Sequence, residues 1–186
     1  FAGIVRQART PHRYAVEQIR HRRRLHHRQP VAQTGEDMRR ARRRRQRDAM
    51  GEAERDSIRA VAALGLSCRL MVWSRMHESD IAACSGLGAH LIDISLPSSD
   101  QHLTYKLRRD RAWLLQRIAY HVALARDAGL EVCIGAEDAS RADPDFLAQI
   151  AEHAQRAGAR RFRFADTLGV LDPFATAEAI GKLRRV

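Results

Sequence analysis

At 186 residues the chain is long enough for one domain, and too short for a complete eight-fold (β/α) barrel, which takes about 250 residues. Its 45% hydrophobic content supports a globular core. No apolar run approaches the roughly 18 residues of a membrane span, and no apolar stretch follows the arginine-rich start as a secretory signal requires. The net charge of +11 lies wholly in the first quarter: residues 1–49 hold 15 arginines and four acids, whereas residues 50–186 hold 18 basic and 18 acidic residues. The sequence therefore describes a neutral domain with a basic head, which excludes a protein that is basic throughout.

The head, residues 1–48, contains RHRRRLHHR and RRARRRRQR, few apolar residues, and prolines at 11 and 30. Like charges repel, and little apolar surface offsets the entropy of ordering, so disorder is expected. Three readings stand open. The segment is out-of-frame translation of GC-rich DNA, or a solvated arm, or an arm that neutralises nucleic-acid phosphates. The last reading lacks stacking aromatics, since only Phe1 and Tyr14 are present. His21, His26 and His27 show no metal-ligand spacing.

The character changes at Ala49. Residues 51–64 read as an amphipathic helix, with Ile58, Val61 and Ala62 on one face and Glu52 and Glu54 at its positive end. Gly65 ends it. Residues 66–73 (LSCRLMVW) read as a strand with Ser74 and Arg75 at its tip. Residues 78–85 form a short helix before Gly86. Residues 90–96 (HLIDISL) form the next strand, followed by a loop, PSSDQHLTYKLRRD. A long helix is expected over 111–128, with Leu114, Leu115, Ile118, Val122 and Ala125 on its apolar face. A third strand carries Leu130, Val132 and Ile134 and ends on Glu137 and Asp138. A helix with Phe146, Leu147, Ile150, Ala151 and Ala154 follows and stops at Gly158. The strand 161–165 ends on Asp166 and Thr167, and Pro173–Leu183 is a last helix with Asp172 as N-cap.

Strands alternating with helices imply a parallel sheet, and chemistry in such sheets gathers at the carboxyl ends of the strands. The pairs Leu64-Gly65, Leu87-Gly88, Ala128-Gly129 and Ala157-Gly158 each precede a strand. Four such units make about half a barrel. A small doubly wound sheet is the alternative, although no Gly-rich phosphate loop supports its nucleotide-binding versions.

Glu137 and Asp138 can ligate a metal or act as a base, or can cap a turn and pair with Arg141. Asp166 and Thr167 can bind a substrate carboxylate, or form a turn carboxylate and a helix-entry hydroxyl. Arg75 can clamp an anion. His102 and Lys106 can reach a substrate from their loop, or stay solvated. His90 reads as a core or sheet-face residue; His77, His121 and His153 read as exposed on helices. Cys68, Cys84 and Cys133 read as buried thiols of a cytosolic protein. No H-x-H, H-E-x-x-H or C-x-x-C occurs, so spacing alone draws no metal site.

The segments MGEAERDSIRAV, LPSSDQHLTYKL, GAEDASRADPDFL and RFRFADTLGVLDPF, spread over residues 49–186, resemble homocitrate synthases of the nitrogen-fixation type. These stand with the isopropylmalate synthases among metal-dependent acyl-condensing barrel enzymes. The resemblance implies a partial (β/α)8 TIM barrel, central βα units only. It implies condensation of acetyl-CoA with 2-oxoglutarate to homocitrate and CoA, for the nitrogenase iron–molybdenum cofactor. It also implies a divalent metal (magnesium, manganese or zinc) that chelates the keto acid, a homodimer for the intact enzyme, and a cytoplasmic location. Glu137 takes the place of a glutamate beside metal and keto acid, and Thr167 that of a threonine on the keto acid's carboxylate. Arg75 and Ser95 stand at strand ends in the same site. The family's D-x-T-L-R-D-G strand and its H-x-H pair have no counterpart here. Cys133 stands where some lysine-pathway homocitrate synthases carry an arginine. The expectation is a fragment, residues 49–186, behind a non-homologous head, with no metal ligands of its own and without turnover. An isopropylmalate synthase-like acyltransferase is the alternative within the class. A nucleic-acid-binding protein is the alternative outside it, although nucleic acid and membrane are not expected partners.

Overall fold

The computed structural model describes residues 51–185, so the expectations for the basic head, residues 1–48, lie outside the described residues. Helix α1 (Glu52–Ala62) opens on two acids, and Glu52 draws in Arg55 and Arg59 one and two turns on. Strand β1 (Met71–Arg75) follows, then α2 (Glu78–Ala83), β2 (Leu91–Pro97), a single π-helical turn (His102–Leu107) and α3 (Arg111–Asp127). Strand β3 (Glu131–Glu137), a 3-10 turn (Ala139–Arg141), α4 (Pro144–Arg156), β4 (Arg161–Phe164) and α5 (Pro173–Leu183) complete the order.

The four strands are parallel and lie in sequence order, β1-β2-β3-β4. A doubly wound sheet reverses its strand order and places helices on both faces. Here the order never reverses, and residues of α1, α2, α3 and α4 share one core with Val72, Ile92, Ile94, Val132 and Ile134. The arrangement is therefore a run of four βα units from a (β/α) barrel. Strand β2 is buried throughout and β3 along its interior, and they read as the near-continuous apolar runs expected of a parallel sheet covered by helices.

Capping sets several boundaries. The Asp172 carboxylate accepts from Ala175 N, and Pro173 fills the first helical position where no N–H is needed. Asp143 does the same for α4, accepting from Asp145 N and Phe146 N ahead of Pro144. Gly158 reverses the chain into β4 at φ 98°, where a Cβ would stand 2.6 Å from the Arg126 guanidinium.

Five expectations need correction. Strand β1 begins at Met71, not at residue 66, because its ladder starts where its partner starts, at Met71 opposite Leu91. Leu64 and Leu66 remain exposed. His90 lies outside β2 and is exposed, with its Nδ1 accepting from Leu70 N. His121 is buried, because α3 packs against both α2 and α4. Burial pushes its pKa down, and its Nδ1–H donates to the Arg117 carbonyl. The loop after β2 contains the π-helical turn, pinned by the buried Leu103. Among the cysteines, Cys84 and Cys133 are buried free thiols, whereas Cys68 is half-buried. Among the described residues no helix is long and apolar enough to cross a membrane.

Candidate active site

The period of two along each strand divides the sheet. Ile92, Ile94, Leu96, Val132, Ile134 and Ala136 face the helices or the small cluster beside them. The opposite face carries Trp73 and Arg75 on β1, Asp93 and Ser95 on β2, Cys133, Gly135 and Glu137 on β3, and Arg161 and Arg163 on β4, aligned by register. Polar residues at such positions cost stability unless they are paired, so their partners define the site.

At the carboxyl end of β3 the Glu137 carboxylate is held from two sides. Ser95 Oγ donates to Oε1 at 2.9 Å, and Lys106 Nζ donates to Oε2 at 3.0 Å. Burial alone would push this carboxyl up. The Lys106 ammonium and the Ser95 hydroxyl outweigh it and hold the group below its ordinary value. Glu137 is therefore an anion at neutral pH, fitted to accept hydrogen bonds rather than to donate a proton.

Asp138 adopts the left-handed backbone region, φ 60°, and its side chain is fully buried. Arg141 grips both oxygens, with Nε at 2.8 Å from Oδ1 and Nη2 at 2.6 Å from Oδ2, and Ser99 Oγ donates to Oδ2 at 2.5 Å. The guanidinium holds this carboxyl below its usual range. Asp138 N donates to Thr167 Oγ1 at 2.9 Å, which ties the ends of β3 and β4 together. The segment that leads from β2 into the π-helical turn is sewn to the same strand end: Ser98 donates its Oγ and its N to the Glu137 carbonyl, at 2.6 and 3.0 Å. His102 Nε2 stands 3.7 Å from Asp138 Oδ2.

Of the residues singled out in the sequence, Glu137 and Ser95 are in direct contact, and Thr167 joins them through Asp138. Arg75 shares the register level of Ser95, and its Nε and Nη2 grip the buried Asp80 at 2.5 and 3.0 Å. Asp166 is a turn carboxylate, accepting from Val170 N and Leu171 N. Lys106 and His102 are not merely solvated. Wide helical turns bring the first of them onto Glu137 and the second near Asp138, and the i, i+4 spacing was their signal. Sequence reasoning passed over Asp93 and Arg163, which pair across β3 at 2.6 Å. Their signal was a lone acid inside HLIDISL and the strict alternation of RFRF.

The metal implied by the resemblance does not fit the described residues taken alone. Among them, no three His, Cys, Asp or Glu side chains gather to hold an ion. Both Glu137 oxygens and both Asp138 oxygens already have partners.

The HMGL-like family matches residues 46–186. The chain belongs to this family. Among the curated relatives of this HMGL-like chain, homocitrate synthase 1 of a Nostoc species is 44% identical over 128 residues, 69% of this chain and 34% of the relative. Homocitrate synthase of Frankia alni is 40% identical over 137 residues, 74% of this chain and 39% of the relative. 2-Isopropylmalate synthase 2 of Caldanaerobacter subterraneus is 38% identical over 135 residues, 73% of this chain and 35% of the relative. The chain thus spans little more than a third of the length of these relatives. Two solved structures share the fold. HMG-CoA lyase from Brucella melitensis has a TM-score of 0.56 at 18% identity, over 70% of this chain and 49% of its own. Hydroxymethylglutaryl-CoA lyase from Pseudomonas aeruginosa has a TM-score of 0.55 at 17% identity, over 63% and 41%.

Proposed function

We propose that this HMGL-like protein is an acyl-condensing synthase of the homocitrate type, with residues 49–186 forming part of its catalytic domain. The methyl carbon of acetyl-CoA is joined to the keto carbon of 2-oxoglutarate, and thioester hydrolysis releases homocitrate and CoA. Homocitrate would then serve as the organic ligand of the nitrogenase iron–molybdenum cofactor. The observation that carries the reading is the 44% identity to a homocitrate synthase, in a chain whose Glu137, Ser95 and Thr167 gather at the carboxyl ends of parallel strands.

The geometry suits a keto-acid substrate. Thr167 Oγ1 accepts from Asp138 N, and among the described residues its own proton is held by the Ala165 carbonyl alone, at 3.5 Å, which leaves it available to a substrate carboxylate. Ionised Glu137 accepts from substrate and helps orient it. Ser95 and Lys106 hold that carboxylate in place. Arg75, anchored on Asp80, adds positive charge at the rim. A synthase of the isopropylmalate kind is the second reading, favoured by the 38% identity to such a relative.

The full catalytic domain that contains residues 49–186 is to be given acetyl-CoA, magnesium, manganese or zinc, and a panel of 2-oxo acids, and free thiol release is measured; residues 1–186 alone are expected to release none. Release that depends on 2-oxoglutarate, with a product of homocitrate mass, is expected. Release only with a branched-alkyl 2-oxo acid moves the reading to the isopropylmalate kind. No release with any 2-oxo acid removes the condensing synthase altogether.

A further inference from the structure

On the polar face of the sheet, one level below Glu137, a second constellation serves no purpose yet described. Gly135 sits between two side chains that reach toward each other over it. A Cβ at this position would stand 2.5 Å from Arg163 Nη2 and 2.5 Å from Asp93 Oδ1. Arg163 extends from β4 across β3 to β2, where its Nε donates to Asp93 Oδ2 at 2.6 Å. Asp93 is almost fully buried, and its Oδ1 has no partner among the described residues. The contact uses one edge of the guanidinium. Among the described residues neither Nη group of Arg163 has a hydrogen-bond partner, and 31% of the side chain is exposed.

A guanidinium fixed through Nε by a buried carboxylate, with its Nη donors still open, is preorganised to take a second carboxylate. Its height in the sheet decides which one. Gly135 precedes Glu137 by two residues on β3, a rise of about 7 Å, comparable to the reach of 2-oxoglutarate from its keto end to its far carboxylate.

Resting on the synthase reading above, we propose that Arg163, oriented by Asp93 across Gly135, binds the distal carboxylate of a dicarboxylic 2-oxo acid and selects it over 2-oxo acids with neutral tails. The substrate then stands upright on this face, its keto end at Glu137 and its far end on Arg163. Cys133, the small residue one level down beside Asp93, leaves room for the fork.

The test is calorimetric binding of 2-oxoglutarate and of a neutral-tailed 2-oxo acid of equal length to the purified protein, alongside thiol release by the full catalytic domain that contains it. Arg163→Met combined with Asp93→Asn removes both charges and leaves no buried ion unpaired. Arg163→Lys keeps the charge and loses the fork. Melting curves establish that each variant is folded. The double variant is expected to weaken 2-oxoglutarate about 100-fold relative to the neutral-tailed acid, with Arg163→Lys in between. Equal weakening of both ligands, unchanged preference, or no binding of 2-oxoglutarate to the parent protein overturns the assignment. Arg163-dependent binding without any CoA release sustains the subsite and removes the synthase reading instead.

Discussion

The two faces of this sheet are built on opposite terms. Toward the helices, Ile92, Ile94, Val132 and Ile134 are fully buried among Leu114, Ile118, Val122, Phe146 and Ile150, and the face is stabilised by volume. On the other side the same strands, one residue out of phase, carry Asp93, Ser95, Gly135, Glu137 and Arg163. These are held by specific pairs with few spare contacts. The first face accepts any side chains that fill it. The second depends on its pairs, because removing the partner of buried Asp93 leaves a desolvated charge behind. Stability therefore belongs mainly to one face of each strand, and the proposed chemistry to the other.

Breaking the apolar face has the largest expected effect. Ile134→Ala empties a fully buried site and costs about 3 kcal/mol, with Ile134→Val near 1 kcal/mol, measured by urea denaturation. A cost below about 1 kcal/mol for the alanine variant would show that the helices collapse onto the sheet rather than pack on it.

At the strand ends, Arg141→Ala leaves buried Asp138 with Ser99 and without its guanidinium, and lowers stability at neutral pH by less than Ile134→Ala does. Because Arg141 holds the Asp138 carboxyl below its ordinary value, this contribution is full above about pH 4 and fades as pH falls through the lowered folded value. Denaturation midpoints for parent and variant should converge in acid. A gap that stays constant down to pH 2 contradicts the ion-pair account.

The smallest effect on stability, and the sharpest on chemistry, is expected at Lys106. This side chain is more than half exposed, so Lys106→Met costs under about 1 kcal/mol. Losing the ammonium leaves burial to raise the Glu137 carboxyl, and the acid limb of the pH–rate profile moves toward neutral. An unmoved limb with reduced rate would mean that Lys106 acts on substrate and not through Glu137.

Much of this was readable residue by residue. Apolar positions with helical or strand period, Asp172-Pro173 at a helix start, and Gly158 at a helix end are local signals, and the elements they announced formed within a few residues of the expected bounds. Glu137 and Thr167 were visible because each follows or ends an apolar strand, whereas Ser95 was pointed out only by the family resemblance. What stayed hidden were the partnerships. Lys106 looked like a solvated loop residue until a π-helical turn brought it onto Glu137. His121 looked exposed because a single helix does not reveal that neighbours cover it on two sides.

The sequence by itself determined the alternation of strand and helix and the parallel sheet, and it put forward the strand ends as the place to look for chemistry. These follow from periods and caps that act within a few residues. Only the tertiary structure decided the sequential strand order, the grip of Ser95 and Lys106 on Glu137, and the span of Arg163 over Gly135 to Asp93. Those contacts join residues 28 to 70 positions apart in the chain, through the register of neighbouring strands. Register is set by the packing of the whole sheet and is written in no single segment.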